Sequence, residues 1–76
     1  MNNITIDLHN MPLTQAKREM QKLLKSCSTK TDQITVIHGY HNGDVILKYI
    51  RTQLKHPRIR QKIVSLNNGE TLLLLN

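Results

Sequence analysis

The sequence contains no phenylalanine and no tryptophan, and acidic residues are scarce, five against eleven lysines and arginines. A core must therefore be built from Ile, Leu, Val and Met. The few carboxylates exclude a two-metal nuclease, which needs several acidic ligands. Cys27 is the only cysteine, so no internal disulfide and no cysteine-based metal site can form. That usage fits a reducing, cytoplasmic setting. The longest apolar run, Leu72 to Leu75, is far too short to span a bilayer. "MNNITIDLH" has no basic segment followed by an apolar one, so no signal peptide is expected. No G-x-x-x-x-G-K-[ST] occurs, which excludes a P-loop nucleotidase, and no serine has a neighbouring His and Asp in a familiar order. Repeats, low-complexity tracts and linkers are also missing.

What is present is positive charge. The 76 residues carry a formal charge of +6. A chain of this length makes a single domain, here residues 1–76, with a small core. A partner copy would enlarge that core. The charge points to polyanions, nucleic acid first and an anionic membrane surface second; of the two, nucleic acid is the expected partner and a membrane is not.

Period-two alternation of Ile4, Ile6 and Leu8 predicts a first strand. Asn10 tolerates positive φ, and Pro12 suits the first turn of a helix. Leu13, Ala16, Met20, Leu23, Leu24 and Cys27 then form one helical stripe, opposite Arg18, Lys22 and Lys25. "CSTKTDQ" is a polar connection, and Ile34 to Ile37 form a second strand ending at His38. Asp44 is placed to cap a second helix with Ile46, Tyr49, Ile50 and Leu54 on its apolar side. Lys48, Arg51 and Lys55 lie on its other side, and Pro57 ends it. "KIVSL" is a third strand, "NNG" a hairpin turn and "TLLLL" a fourth strand. The order is βαβαββ. The predicted fold is an α/β (α+β) two-layer sandwich, a four-stranded mixed sheet covered on one face by two helices. Leu72 and Leu74 alternate with Leu73 and Leu75, so one pair falls on the uncovered face. That face could associate weakly with a second copy, the alternative being a monomer.

Parallel pairing of the first two strands brings "DLHN" and "IHGYHNG" to the same sheet edge, where both helices also begin. His9 and His38 would meet there, with Asp7 to orient or bind a metal. Gly39 and Gly43 would let backbone amides approach a phosphate, Tyr40 offers a stacking face, and His41 could touch a ligand. Lys48, Arg51, Lys55, Arg58 and Arg60 would track a nucleic-acid backbone, with Lys62 extending the charge. Histidine acid–base chemistry fits this inventory best. It needs no cofactor and is compatible with a divalent metal. A zinc site from Asp7, His9, His38 and His41 is a weaker reading.

Three segments carry a family resemblance: "IDLHNMPLTQAKREM", "VIHGYHNGDVILKYIRTQLKHPRI" and "LNNGETLLLL". In order and spacing they resemble the small MutS-related (Smr) domain, in its short stand-alone bacterial type, from Ile4 to Leu75. The first corresponds to the family's L-D-x-H-G segment and the second to its H-G-x-G segment. Asn10 stands where the family has glycine, and His41 where it has the second glycine. The resemblance implies a sandwich similar to the C-terminal domain of a bacterial translation initiation factor, its fourth strand between the second and third. It also implies nucleic-acid binding, with endonuclease activity on RNA or DNA in several members, some acting on messenger RNA at stalled ribosomes. By position it assigns function to Asp7, His9, His38 and Gly39. The expected function is an endonuclease cleaving or nicking RNA or DNA. The alternative is a non-catalytic RNA- or DNA-binding or ribosome-associated module.

Overall fold

The computed structural model describes residues 2–39, 44–67 and 69–76. Strand β1 (Asn3–Asp7) leads through a turn into helix α1 (Leu13–Ser26), followed by β2 (Gln33–Ile37). Helix α2 (Val45–Lys48) continues directly into a π-helical segment, Tyr49–Gln53. Strands β3 (Ile59–Val64) and β4 (Glu70–Leu75) close the chain. The sheet order is β1-β2-β4-β3, with β1 parallel to β2 and β4 antiparallel to both β2 and β3. The expected mixed sheet with its last strand inside is therefore present. Apolar β4 fills a central position, paired along both edges with β2 and β3.

Alternation decides which side of the sheet is dry. Ile34, Val36, Leu73 and Leu75 point into one core with Ala16, Met20 and Leu24 of α1 and Tyr49, Ile50 and Leu54 of the second helical segment. Each buried Ile, Leu, Val and Met among these contributes about 1.5–3 kcal/mol by leaving water. Lys17 Nζ lies 5.4 Å from the Tyr49 ring centroid and ties α1 to that segment. Leu72 and Leu74 sit half-buried on the other face, so it is Leu73 and Leu75 that the helices cover.

Four local features depart from the sequence reading. Pro12 sits one residue before the helix rather than within its first turn, and its carbonyl accepts the Ala16 amide at 3.0 Å. The second helix is not a continuous α-helix to the residue before Pro57. Thr52 Oγ1 donates to the Lys48 carbonyl at 2.6 Å, and the ladder widens until Leu54 N reaches Tyr49 O at 2.8 Å. A hydroxyl competing for a helix carbonyl favours such widening. The widened turn buries Tyr49, Ile50 and Leu54 together. Asp44 precedes α2 without a side-chain cap bond; its carboxylate instead meets Lys48 Nζ at 3.3 Å. Finally, the third strand starts at Ile59, earlier than "KIVSL", and ends before Ser65. In the closing hairpin, Gly69 N donates to Asn67 Oδ1 at 2.8 Å and Glu70 N to Asn67 O at 3.1 Å.

Candidate active site

Strands β1 and β2 end level with each other, Asp7 opposite Ile37. The ladder runs one step further, with Leu8 N donating to Ile37 O at 2.7 Å. Leu8 is therefore level with His38, and His9 with Gly39. Asn10 then turns the chain with φ +65°, a conformation Asn tolerates better than most residues. Gly39 has φ +70°, and a Cβ built on it would lie 3.4 Å from His9 Cβ. The left-handed backbone favours glycine there, while a Cβ would make no more than ordinary contact with His9. The two segments do terminate side by side.

Their imidazoles occupy opposite environments. Leu8 and His38 share the parity of the buried side chains, being 0% and 4% exposed. One residue on, His9 and Asp7 retain about half of their side-chain exposure, 54% and 50%. The carboxylate of Asp7 accepts from both the His9 amide, at 3.1 Å, and the His9 ring nitrogen Nδ1. A carboxylate only accepts, so in the neutral ring Nδ1 carries the proton and Nε2 is left as a base. The hydrogen bonds from the ring and from the amide hold the Asp7 carboxyl below its ordinary value of 3.8.

His38 is enclosed by a directed chain of hydrogen bonds. Its Nδ1 lies 2.9 Å from Gly39 O, which can only accept. Nε2 of the neutral ring therefore accepts, and its partner is Thr71 Oγ1 at 2.9 Å. That hydroxyl in turn accepts from Arg51 Nε at 2.9 Å, while Arg51 Nη2 donates to Glu70 O at 3.1 Å. Burial pushes the His38 pKa below 6.5, and the nearby Arg51 cation acts in the same sense. The Gly39 carbonyl and the Glu70 charge oppose this less strongly. The backbone is pinned as well, because His38 N and Gly39 N both donate to Gly69 O, at 2.8 and 3.0 Å. Gly39's amide is thus spent on the hairpin and is not presented to a ligand.

The structure distributes the other expected residues unevenly. Tyr40, His41 and Gly43 lie outside the described residues. Lys48 is exposed and paired with Asp44. Arg51 belongs to the buried chain. Arg58 is drawn inward too: Nη1 donates to Cys27 O and Sγ, and Nη2 to Ser28 O at 3.1 Å, so it caps the end of α1. Lys55 and Arg60 are exposed at the opposite end of the sheet. Among the described residues no group of three His, Cys, Asp or Glu side chains is placed to hold a metal ion. Thr71 and Gly69 are contributors that sequence reasoning missed. The signal for Thr71 was present, since a lone hydroxyl at the parity of Leu73 and Leu75 must find a buried partner.

A profile of the Smr domain matches residues 6–71. The chain belongs to the Smr domain family. Smr domains are associated with nucleic-acid binding and nuclease activity. The crystal structure of the Smr domain of Thermus thermophilus MutS2 has the same fold, with a TM-score of 0.81 at 19% identity, covering 96% of this chain and 98% of that one. No curated protein matches the chain significantly. The family's first motif falls here on the exposed Asp7–His9 pair, and its second on the buried His38 and the Gly39 turn. Among the described residues of this Smr domain, no helix is long and apolar enough to cross a membrane.

Proposed function

We propose that this Smr domain binds nucleic acid and cleaves its phosphodiester bonds, with His9 as the general base and Asp7 as the residue that orients it. The observation carrying the reading is the Asp7–His9 hydrogen bond at an exposed sheet edge, which makes Nε2 of the half-exposed neutral His9 ring the acceptor nitrogen. On RNA, Nε2 takes the 2′-OH proton, the 2′-oxygen attacks phosphorus, and the 5′-oxygen leaves and is protonated by water. On DNA, which lacks that hydroxyl, the same base activates a water molecule. Neither route requires a metal ion. His38 works as a buried brace that sets the Gly39 turn against His9, rather than as the second proton carrier.

A second reading is a binding module without cleavage, and the sealing of His38 favours it by removing one of two expected imidazoles from proton transfer. Incubation with labelled single-stranded RNA and its all-deoxy analogue, with and without EDTA, separates the two. Cleavage by the unaltered chain that vanishes in His9→Ala supports catalysis, and survival of RNA cleavage in EDTA supports the metal-free route. Binding without cleavage by either protein supports the module, and cleavage undiminished in His9→Ala overturns the assignment of the base.

A further inference from the structure

A basic cleft lies at the opposite corner of the sheet. Strand β3 carries a register slip between Ile59 and Gln61, a bulge at Arg60. Without it, Ile59 and Lys62, three residues apart, would point to opposite faces. With it, Ile59 stands opposite Leu75 and Lys62 opposite Leu73, both on the helix side. Bulges re-aim side chains in this way, and they concentrate at sheet edges and beside sites.

The re-aimed Lys62 reaches the end of the π-helical segment, where Nζ donates to Leu54 O. Burial, and the neighbouring Lys55 cation, pull its pKa below 10.5. His56 Nδ1 accepts the Arg58 amide at 3.1 Å, so in the neutral ring its proton sits on Nε2. Between these elements opens a cleft of about 370 Å³ lined by Leu54, Lys55, His56, Ile59, Arg60, Gln61 and Lys62. Its lining holds three cations and a histidine donor, and no carboxylate among the described residues. A cluster of like charges in a concave site is costly until an anion enters it.

We infer that the cleft between the π-helical segment and β3 binds phosphate groups, as a second contact for a nucleic-acid strand held at the Asp7–His9 edge. The polynucleotide part of this inference rests on the proposed function above. Strand β3 runs parallel to β2, so its first residues lie at the edge of the sheet away from Asp7 and His9. Strands of five and six residues separate the two edges by about 17–20 Å. At roughly 3.4 Å per nucleotide that is five or six nucleotides, so one small anion cannot serve both places. Arg51 and Arg58 are spent on internal carbonyls and a hydroxyl. Lys55 and Arg60 remain at the surface for this role.

The test has two arms, both on the full chain. In the first, the ¹⁵N-labelled protein is titrated with inorganic pyrophosphate. Saturable amide shifts over residues 54–62, lost in Lys55→Gln/Arg60→Gln, are expected; scattered or non-saturating shifts overturn the cleft. In the second, binding of a 12-nucleotide RNA is measured against salt. Removing two phosphate contacts should flatten the slope of log K against log salt by about 1.4. An unchanged slope overturns the second contact while leaving nucleic-acid binding intact. If the unaltered chain binds no oligonucleotide, the nucleic-acid reading falls; saturable pyrophosphate shifts then identify a cleft for small phosphate anions instead.

Discussion

His9 and His38 follow adjacent parallel strands and are one register step apart, and that single step separates their chemistry. His38 is level with Leu8 and turns toward the helices, where both ring nitrogens are satisfied by Gly39 and Thr71. His9 is level with Gly39 and turns to the exposed side, where among the described residues its ring meets Asp7, through Nδ1. A buried imidazole in a low-dielectric setting prefers to stay neutral. It fixes the shape of its surroundings and exchanges protons reluctantly. An exposed imidazole oriented by a carboxylate can exchange them with a substrate. Two histidines in two similar motifs thus occupy different environments, which the proposed function reads as one bracing and one reacting, because side chains alternate across a strand.

The largest effect should come from His9, the proposed base. His9→Ala is expected to cost roughly 10²–10⁴-fold in cleavage rate, while its unfolding midpoint stays within about 0.5 kcal/mol of the unaltered chain. A large loss of stability in urea titration would mean that His9 also braces the fold. His38→Ala should show the reverse emphasis, destabilising by about 2–4 kcal/mol because it leaves a cavity, the Thr71 O–H without its acceptor and the Gly39 carbonyl without its ring donor. Thr71→Val keeps the volume and removes only the hydroxyl. It should cost about 1–3 kcal/mol, since His38 Nε2 and Arg51 Nε then lose their shared acceptor and donor.

Acid should distinguish the two histidine sites without any substitution. The folded-state pKa of His38 lies below its unfolded value near 6.5. Its contribution to stability is therefore full above that value and is lost as the pH falls through the depressed folded value. Asp7 is also depressed, from 3.8, so its contribution disappears only at still lower pH. Urea midpoints measured from pH 8 downwards should begin to fall near 6.5, and His38→Asn should flatten that first decline. A decline unaltered in His38→Asn would place the proton uptake elsewhere. The smallest effect is expected of Arg51→Gln on nucleic-acid binding. With its guanidinium spent on Thr71 and Glu70, the salt slope should stay as it is, and a drop of about one unit would show that Arg51 reaches a phosphate after all.

Much of this was legible beforehand. Alternation in "ITIDLH" and "ITVIH" located the first two strands, and the stripe from Leu13 to Cys27 located α1. The parity that divides His9 from His38 was also readable, because His38 shares the phase of Ile34 and Val36 while His9 and Asp7 oppose Ile6 and Leu8. What misled was convergence: two strand ends at one edge suggested one shared pocket, although neighbouring positions on a strand face opposite ways. Lys48, Arg51 and Arg58 looked alike as surface cations. Nothing in their spacing told that Arg51 would reach a hydroxyl on β4 or that Arg58 would cap the carbonyls after α1.

The linear order of residues settled the elements, the surplus of positive charge and the apolar phase of each strand, since those depend on neighbours within a few positions. Tertiary structure alone decided that Thr71 and Arg51 would enclose His38, that the Gly69 carbonyl would occupy two loop amides, and that a bulge at Arg60 would turn Lys62 inward. These contacts join residues twenty or more positions apart or depend on strand register. Hydrogen bonds of that kind form only once the sheet has placed its partners within about 3 Å of each other.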